Sequence, residues 1–337
     1  MGSYYNELEQ DILSKLEKGL TNLPDYVRDY FLSIQFTTTA RTRYGYFTDI
    51  NNFFSYVSEV KEVPTQAITC EQLNSLDKRF YDTYLWYLSK YEKNGQIRTN
   101  SISSLRRKLS SLRNFFNFLV LENKISSCEF QKVKQPKLRK KEIVKLDDTE
   151  RSDFLEAVDF MDGASKQQRK YHTLQGTRDM AIIYLLLSTG MRVSECVGIN
   201  IEDVEMNKFS VRVLRKGLKE DTLYFSDTTH DYLQEYMIKR KGITPLPGHE
   251  DALFLSSQKR RITVRSVERL VKKYAQMSVP LKHITPHKLR STYATRMNEL
   301  TSDLMLVKNL LGHESVATTQ LYVAQSEQAK KQVRNLE

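Results

Sequence analysis

Six polar residues in the second half of the chain have types that could carry chemistry together: Arg192, Lys216, His287, Arg290, His313 and Tyr322. Guanidinium and ammonium groups hold anions, and imidazoles move protons near neutral pH. The densest stretch is ITPHKLRSTYATRMNELTSDLMLVKNLLGHESVATTQLY, from Ile284 to Tyr322. Thr285 is placed to cap a helix, and Pro286 suits its first position. His287 and Arg290 then fall at i and i+3 on one face, while Leu289, Tyr293 and Met297 recur at the spacing of a buried side. Ser302 is the expected cap of a second helix, with Leu304, Val307 and Leu311 as its apolar stripe and Gly312 as its stop. His313 follows in the turn. Tyr322 comes nine residues later, in an expected short helix begun at Ser315.

Taken singly, each residue has an ordinary explanation. Arg192 could be a surface charge after a helix ended by Gly190, Lys216 a hairpin-tip lysine, and His287 a helix-start residue. Tyr322 is one of 19 tyrosines, so its type alone carries little weight.

The elements that must position these groups follow from length and patterning. A chain of 337 residues exceeds the usual single domain, and its 40% hydrophobic content suffices for two cores. The formal net charge of +11 points to a polyanionic partner, nucleic acid first and an anionic membrane surface second. The longest apolar run, residues 180–187, falls far short of the roughly 20 residues that a spanning helix needs. No basic-then-apolar leader pattern opens the chain, so a cytoplasmic, nucleoid-associated location without a membrane is expected. Cys70, Cys128 and Cys196 are odd in number and widely spaced, which reads as buried reduced thiols and not as a disulfide or zinc framework.

Residues 4–122 read as helical almost throughout. Helices are expected over 4–16, 25–32, 37–57, 72–91 and 101–121, with aromatic stripes such as Phe47, Phe53, Phe54, Phe80 and Tyr84 packing a core. Arg106, Arg107, Lys108 and Arg113 share the other face of the last helix with serines, and Arg41 and Arg43 stand among threonines. Short hydroxyl side chains beside arginine suit contact with phosphate oxygens, although such faces are also often merely solvated. Between 126 and 146 the apolar periodicity breaks into KVKQPKLRKKEIVKL. This lysine-dense stretch, with Lys137, Arg139 and Lys140, reads as an interdomain linker, either a solvated tether or a basic strap on a nucleic-acid backbone.

The second domain is expected to open with a helix begun at Asp147 or Asp148 and running to 158, followed by a loop over 163–175. Thr177 should cap a buried helix over 178–188, and a further helix over 191–197 should hold Arg192 in its first turn. Residues 209–214 and 222–225 alternate as a hairpin with Lys216 at its tip. Helices over 231–241 and from Thr263 onward follow, the latter burying Val264, Val267, Leu270, Val271 and Tyr274. Residues 326–337 are polar and helix-prone.

In this order the motifs resemble the tyrosine recombinase (phage integrase) family, particularly its Xer-like and mobile-element integrase members. The matching pieces are TGMRVSE around Arg192, RKG around Lys216, TPHKLRSTYATRM around His287 and Arg290, LGHES around His313, and TTQLY at Tyr322. They are specific over 177–325 and looser before 125. Lys288 stands where an acidic residue is common, and Ser291 where histidine often follows the second arginine. Arg215 occupies a position where glycine is usual, which leaves Lys219 beside Lys216 as a candidate for the hairpin lysine.

The resemblance implies a mostly α fold with a small β-sheet. Its parts would be a helical core-DNA-binding domain over 1–125, a basic linker over 126–146, and a mixed α/β catalytic domain over 147–325. A C-terminal helix over 326–337 would dock on a neighbouring protomer or fray, and the two domains would form a C-shaped clamp on DNA. Arg192 and Arg290 would hold the non-bridging oxygens of a scissile phosphate, and Tyr322 would attack it to form a 3′-phosphotyrosyl link. His287 would accept the phenolic proton, Lys216 would protonate the leaving 5′-oxygen, and His313 would bond a non-bridging oxygen. Neither metal, ATP nor another cofactor is implied.

The implied partners are a double-stranded recombination site and three further copies in a tetrameric synapse, the free protein being monomeric; a directionality or accessory protein could join them. Arg41, Arg43, Arg106, Arg107, Arg113, Arg260, Arg261 and Arg265 would contact DNA together with the linker residues Lys137, Arg139 and Lys140. With no separate arm-binding module evident, a two-domain Xer-like enzyme is the expectation. The competing readings are a monomeric type IB topoisomerase, a catalytically silent DNA-binding protein of the same fold, and a metal-dependent nuclease.

Overall fold

The computed structural model describes residues 2–93, 95–137, 144–160, 166–215, 217 and 219–312. The chain divides after residue 140 into two compact units, each with its own hydrophobic core.

The first unit is built from α1 (Gly2–Leu20), α2 (Asp25–Ser33), α3 (Ala40–Lys61), α4 (Cys70–Asn74), α5 (Lys78–Ser89), a hairpin of β1 (Lys90–Lys93) and β2 (Gln96–Thr99), and α6 (Ile102–Leu121). The single helix expected over 72–91 is instead two helices and a strand. A capping box between Thr69 and Gln72 starts α4, and the Asp77 carboxylate accepts from the Phe80 amide to start α5 afresh. Ser101 and Thr39 cap α6 and α3 in the same way. The aromatic stripes do form the core: Phe53 meets the rings of Tyr84 and Phe116 edge-on, at centroid distances of 5.2 and 5.6 Å. That core runs past the expected domain edge, because Phe130 and Val133 are buried in it. Much of the expected linker is therefore part of the first unit.

One buried ionic cluster lies between α3 and α6. The Asp49 carboxylate, fully buried, receives both Nη groups of Arg107 at 2.6 and 2.7 Å, the Lys108 ammonium at 3.3 Å and the Ser111 hydroxyl at 2.7 Å. Lys108 and Ser111, expected on a basic face suited to phosphate contact, are thus core residues that neutralise a buried acid.

The second unit contains α7 (Asp148–Phe160), α8 (Lys166–Thr189), α9 (Val193–Gly198), β3 (Val204–Glu205), β4 (Ser210–Leu214), β5 (Glu220–Tyr224), α10 (Asp227–Lys241), α11 (Val264–Ser278), α12 (Pro286–Thr301) and α13 (Leu304–Leu311). The three strands form one antiparallel sheet in the order β3-β4-β5. Asp147 begins α7 by a reciprocal bond with Glu150. The expected loop over 163–175 is largely helix, since α8 starts at Lys166 and runs through Thr177, whose hydroxyl bonds to Glu235 and Lys239 on α10 instead of capping. Ile182, Ile183, Leu185 and Leu186 of α8 pack with Val267, Val271 and Tyr274 of α11 in the core. Asp303, not Ser302, caps α13; Ser302 takes the left-handed conformation that ends α12.

The thiol of Cys196 lies inside this core, where burial pushes its pKa up to about 12. Cys70 and Cys128 are half-buried. No helix among the described residues is long and apolar enough to cross a membrane.

Candidate active site

Three described side chains of the expected set come together in the second unit. Arg192 sits between α8 and α9, and His287 and Arg290 lie on the first turns of α12. They meet because α8 ends abruptly at Gly190, which adopts φ +61°. A Cβ there would fall 2.3 Å from the Tyr293 ring of α12, so only glycine allows both the left-handed turn and the close approach of α12. The Arg290 guanidinium crosses the gap. It donates to the Gly190 carbonyl at 2.8 Å and to the Leu311 carbonyl at 2.5 Å.

Leu311 is the last residue of α13, whose final carbonyls have no partner within the helix and carry the negative end of its dipole. Arg215 donates to the carbonyls of Leu310 and Leu311 at 2.8 and 3.0 Å, and Arg192 approaches the Gly312 carbonyl at 3.5 Å. Three guanidinium groups therefore gather at the residue that immediately precedes His313. Two carboxylates organise them. Glu195 accepts from the Arg192 amide at 2.7 Å, from its Nη1 at 2.8 Å and from Arg215 at 3.4 Å, while Asp221 accepts from Arg215 Nε at 2.9 Å. Three fixed cations against two carboxylates leave a net positive site, and Arg215 is the cation that both carboxylates engage.

Arg290 and Arg215 are almost wholly buried, whereas the Arg192 side chain keeps 34% of its surface open. His287 is exposed to solvent. The protein around it, and then the charges of Arg290, Lys288 and Arg192, hold its pKa below the ordinary value of 6.5. A neutral imidazole is the form that accepts a proton.

Lys216, His313 and Tyr322 lie outside the described residues, as do the segment begun at Ser315, the terminal stretch 326–337, Arg139 and Lys140. Glu195, Asp221 and Arg215 were not singled out as site residues by the sequence. Glu195 had a usable signal, since it stands three residues after Arg192, where a side chain reaches back to the amide that starts α9.

The basic residues divide into two groups. Arg43 is buried and donates to the Gln35 and Thr38 carbonyls, and Arg261 donates to the carbonyls of Val197 and Ile199 and to Asn200. Both residues, expected to contact phosphate, spend these donors on internal bonds that tie down loop carbonyls. Arg106 and Arg113 hold the carbonyls of Pro136 and Val133, and so fasten the chain that follows α6, while Arg107 is engaged by Asp49 but half-open. Arg41, Lys137, Arg260 and Arg265 are exposed.

The sequence and the fold are similar to those of known proteins. The phage integrase family matches residues 153–329, and the N-terminal SAM-like domain of phage integrases matches residues 27–123. The chain belongs to the phage integrase family and is a tyrosine recombinase, an enzyme of site-specific DNA recombination.

Within that class its relatives include Xer enzymes. It is 32% identical to tyrosine recombinase XerC of Syntrophus aciditrophicus, over 88% of this chain and 91% of that protein. It is 30% identical to tyrosine recombinase XerS of Streptococcus agalactiae, over 92% of this chain and 94% of that protein. Among solved structures, the XerH site-specific recombinase in a post-cleavage complex with a palindromic difH substrate superposes with a TM-score of 0.65 at 19% identity, covering 88% of this chain and 78% of that one. The Tn1549 transposon integrase bound to circular intermediate DNA gives 0.65 at 20% identity, covering 91% of this chain and 98% of that one. At such identities the likeness is one of fold: mostly helical, with two domains and a small sheet.

Proposed function

We propose that the chain exchanges DNA strands through a 3′-phosphotyrosyl intermediate at Tyr322, without metal or ATP, as a tetramer on two recombination sites. The observation that carries this reading is the meeting of Arg192, Arg290 and His287, from separate parts of the sequence, at the end of the helix that leads into His313. Attack on a phosphodiester gathers negative charge on the non-bridging oxygens, and a cluster of permanently charged arginines stabilises that charge as it develops.

In the proposed reaction the Tyr322 oxygen bonds to phosphorus and passes its proton to neutral His287. The bond from phosphorus to the 5′-oxygen breaks, and Lys216 supplies that oxygen's proton, with Lys219 the other hairpin candidate. His313 bonds a non-bridging oxygen. Reversal with a second strand restores the DNA, because the ester retains the energy of the broken bond. The exposed Arg41, Lys137, Arg260 and Arg265 are the better candidates for phosphate contact, and the region over 326–337 is proposed to dock on a neighbouring protomer. A cytoplasmic, nucleoid-associated location accords with this task.

A nicked suicide substrate tests the reading. Incubation should give a covalent protein–DNA adduct in the presence of chelator, and Tyr322→Phe should abolish it while binding the same DNA. Neither cleavage nor adduct from the unaltered protein would favour a silent DNA-binding protein, and cleavage without adduct that stops on chelation a metal-dependent nuclease.

A further inference from the structure

Arg215, directly before the hairpin lysine Lys216, is neither on the surface nor idle. It is buried, and its five donor hydrogens face a dense set of acceptors: Asp221 on its own hairpin, Glu195 on α9, and the Leu310 and Leu311 carbonyls that end α13. Its guanidinium packs against Gly312, where a Cβ would lie 3.0 Å from Nε and Cζ. Glycine at 312, with φ +59°, therefore both ends the helix and leaves room for the arginine.

These bonds are unequal in what they hold. The end of α13 has other partners, since Arg290 also holds the Leu311 carbonyl and Arg192 approaches that of Gly312. At the turn end of the β4–β5 hairpin, the hydrogen bonds that tie described residues to another element start from Arg215. Its own backbone amide closes the hairpin on the Lys219 carbonyl at 2.8 Å. Loss of Arg215 would thus leave the contacts of Arg290 and Arg192 in place and remove these ties of the hairpin to α13 and α9.

We propose that Arg215 is a positioning residue which moors the β4–β5 hairpin to the C-terminal end of α13, so that Lys216 is held for proton donation to the leaving 5′-oxygen. The inference rests on the strand-transfer reading above. Arg215 acts through the lysine beside it and does not touch the phosphate. A flat, forked cation is required, because a single ammonium cannot serve Asp221, Glu195 and two carbonyls together.

A leaving group that needs no proton separates this role from a merely structural one. In a substrate whose 5′-bridging oxygen is replaced by sulfur, tyrosine attack breaks the phosphorus–sulfur bond and expels a thiolate unaided. Single-turnover adduct formation would be measured on oxygen and sulfur substrates for the unaltered enzyme, Arg215→Lys and Asp221→Asn. Arg215→Lys should be slowed about 10- to 100-fold on the oxygen substrate, and stay within about threefold of the unaltered enzyme on the sulfur one. Asp221→Asn, at a half-exposed position, should give the same pattern more weakly. Adduct formation on sulfur also shows that the variant is folded. Equal losses on both substrates, or none on either, would overturn the proposal. Absence of adduct from the unaltered enzyme would instead remove the strand-transfer reading itself.

Discussion

The Arg290 guanidinium lies 2.8 Å from the Gly190 carbonyl, and this contact fixes α12 against the turn that presents Arg192. One buried side chain therefore both belongs to the proposed anion site and holds the site's other arginine in register. The dual use has a measurable consequence. Arg290→Ala should lower single-turnover cleavage by about 10²–10³, as for loss of a preorganised charge-stabilising donor. It should also cost about 1–3 kcal/mol in urea unfolding, because the Gly190 carbonyl loses this donor, whereas the Leu311 carbonyl keeps Arg215. A variant that cleaves normally would take Arg290 out of the site.

With His287 as the proposed base, its depressed pKa should set the acid side of the pH profile. The base works when neutral, so cleavage falls as pH drops through the His287 pKa of the free enzyme, and that pKa lies below the ordinary 6.5. Burial contributes most, followed by Arg290, Lys288 and Arg192. Lys288→Gln removes one of those charges, raises the pKa, and should move the acid limb of the second-order adduct rate to higher pH. A limb that does not move would assign the proton to another acceptor.

In the first unit, Asp49→Ala should destabilise the fold by about 3–5 kcal/mol, since it strands the buried Lys108 ammonium without its counter-charge. Chemical denaturation of the isolated change reads this directly. A loss under about 1 kcal/mol would mean that the cluster is hydrated and relaxes.

Arginines that looked alike in sequence should separate by assay. Arg265→Ala, at an exposed site, should reduce the slope of log affinity against log salt by about one and leave stability unchanged. Arg43→Ala should do the reverse, because its donors serve the Gln35 and Thr38 carbonyls. Equal salt slopes for the two variants would contradict the division.

What the sequence disclosed followed from strong local signals. Thr285-Pro286 and Gly312 bound the helices of the site, Thr263 caps α11, and the spacing of His287 and Arg290 places both at the start of one helix. What it hid depended on distant partners. Nothing local to Ser111 or Lys108 reveals that Asp49, about 60 residues earlier, draws both into the core. Similarly, the burial of Arg215 depends on the end of α13, 95 residues away, and that of Arg43 on the carbonyls of its own preceding loop. The start of α8 was missed for the opposite reason: residues 166–175 are polar, so apolar periodicity gave no cue to a helix there.

The most direct test of the central claim is to digest the covalent complex formed on a nicked duplex and sequence the nucleotide-bearing peptide by mass spectrometry. The proposed chemistry predicts that the modified residue is Tyr322 and that it is joined to the 3′-phosphate, leaving a free 5′-hydroxyl on the released strand. Attachment at another residue, or linkage to a 5′-phosphate, would contradict it.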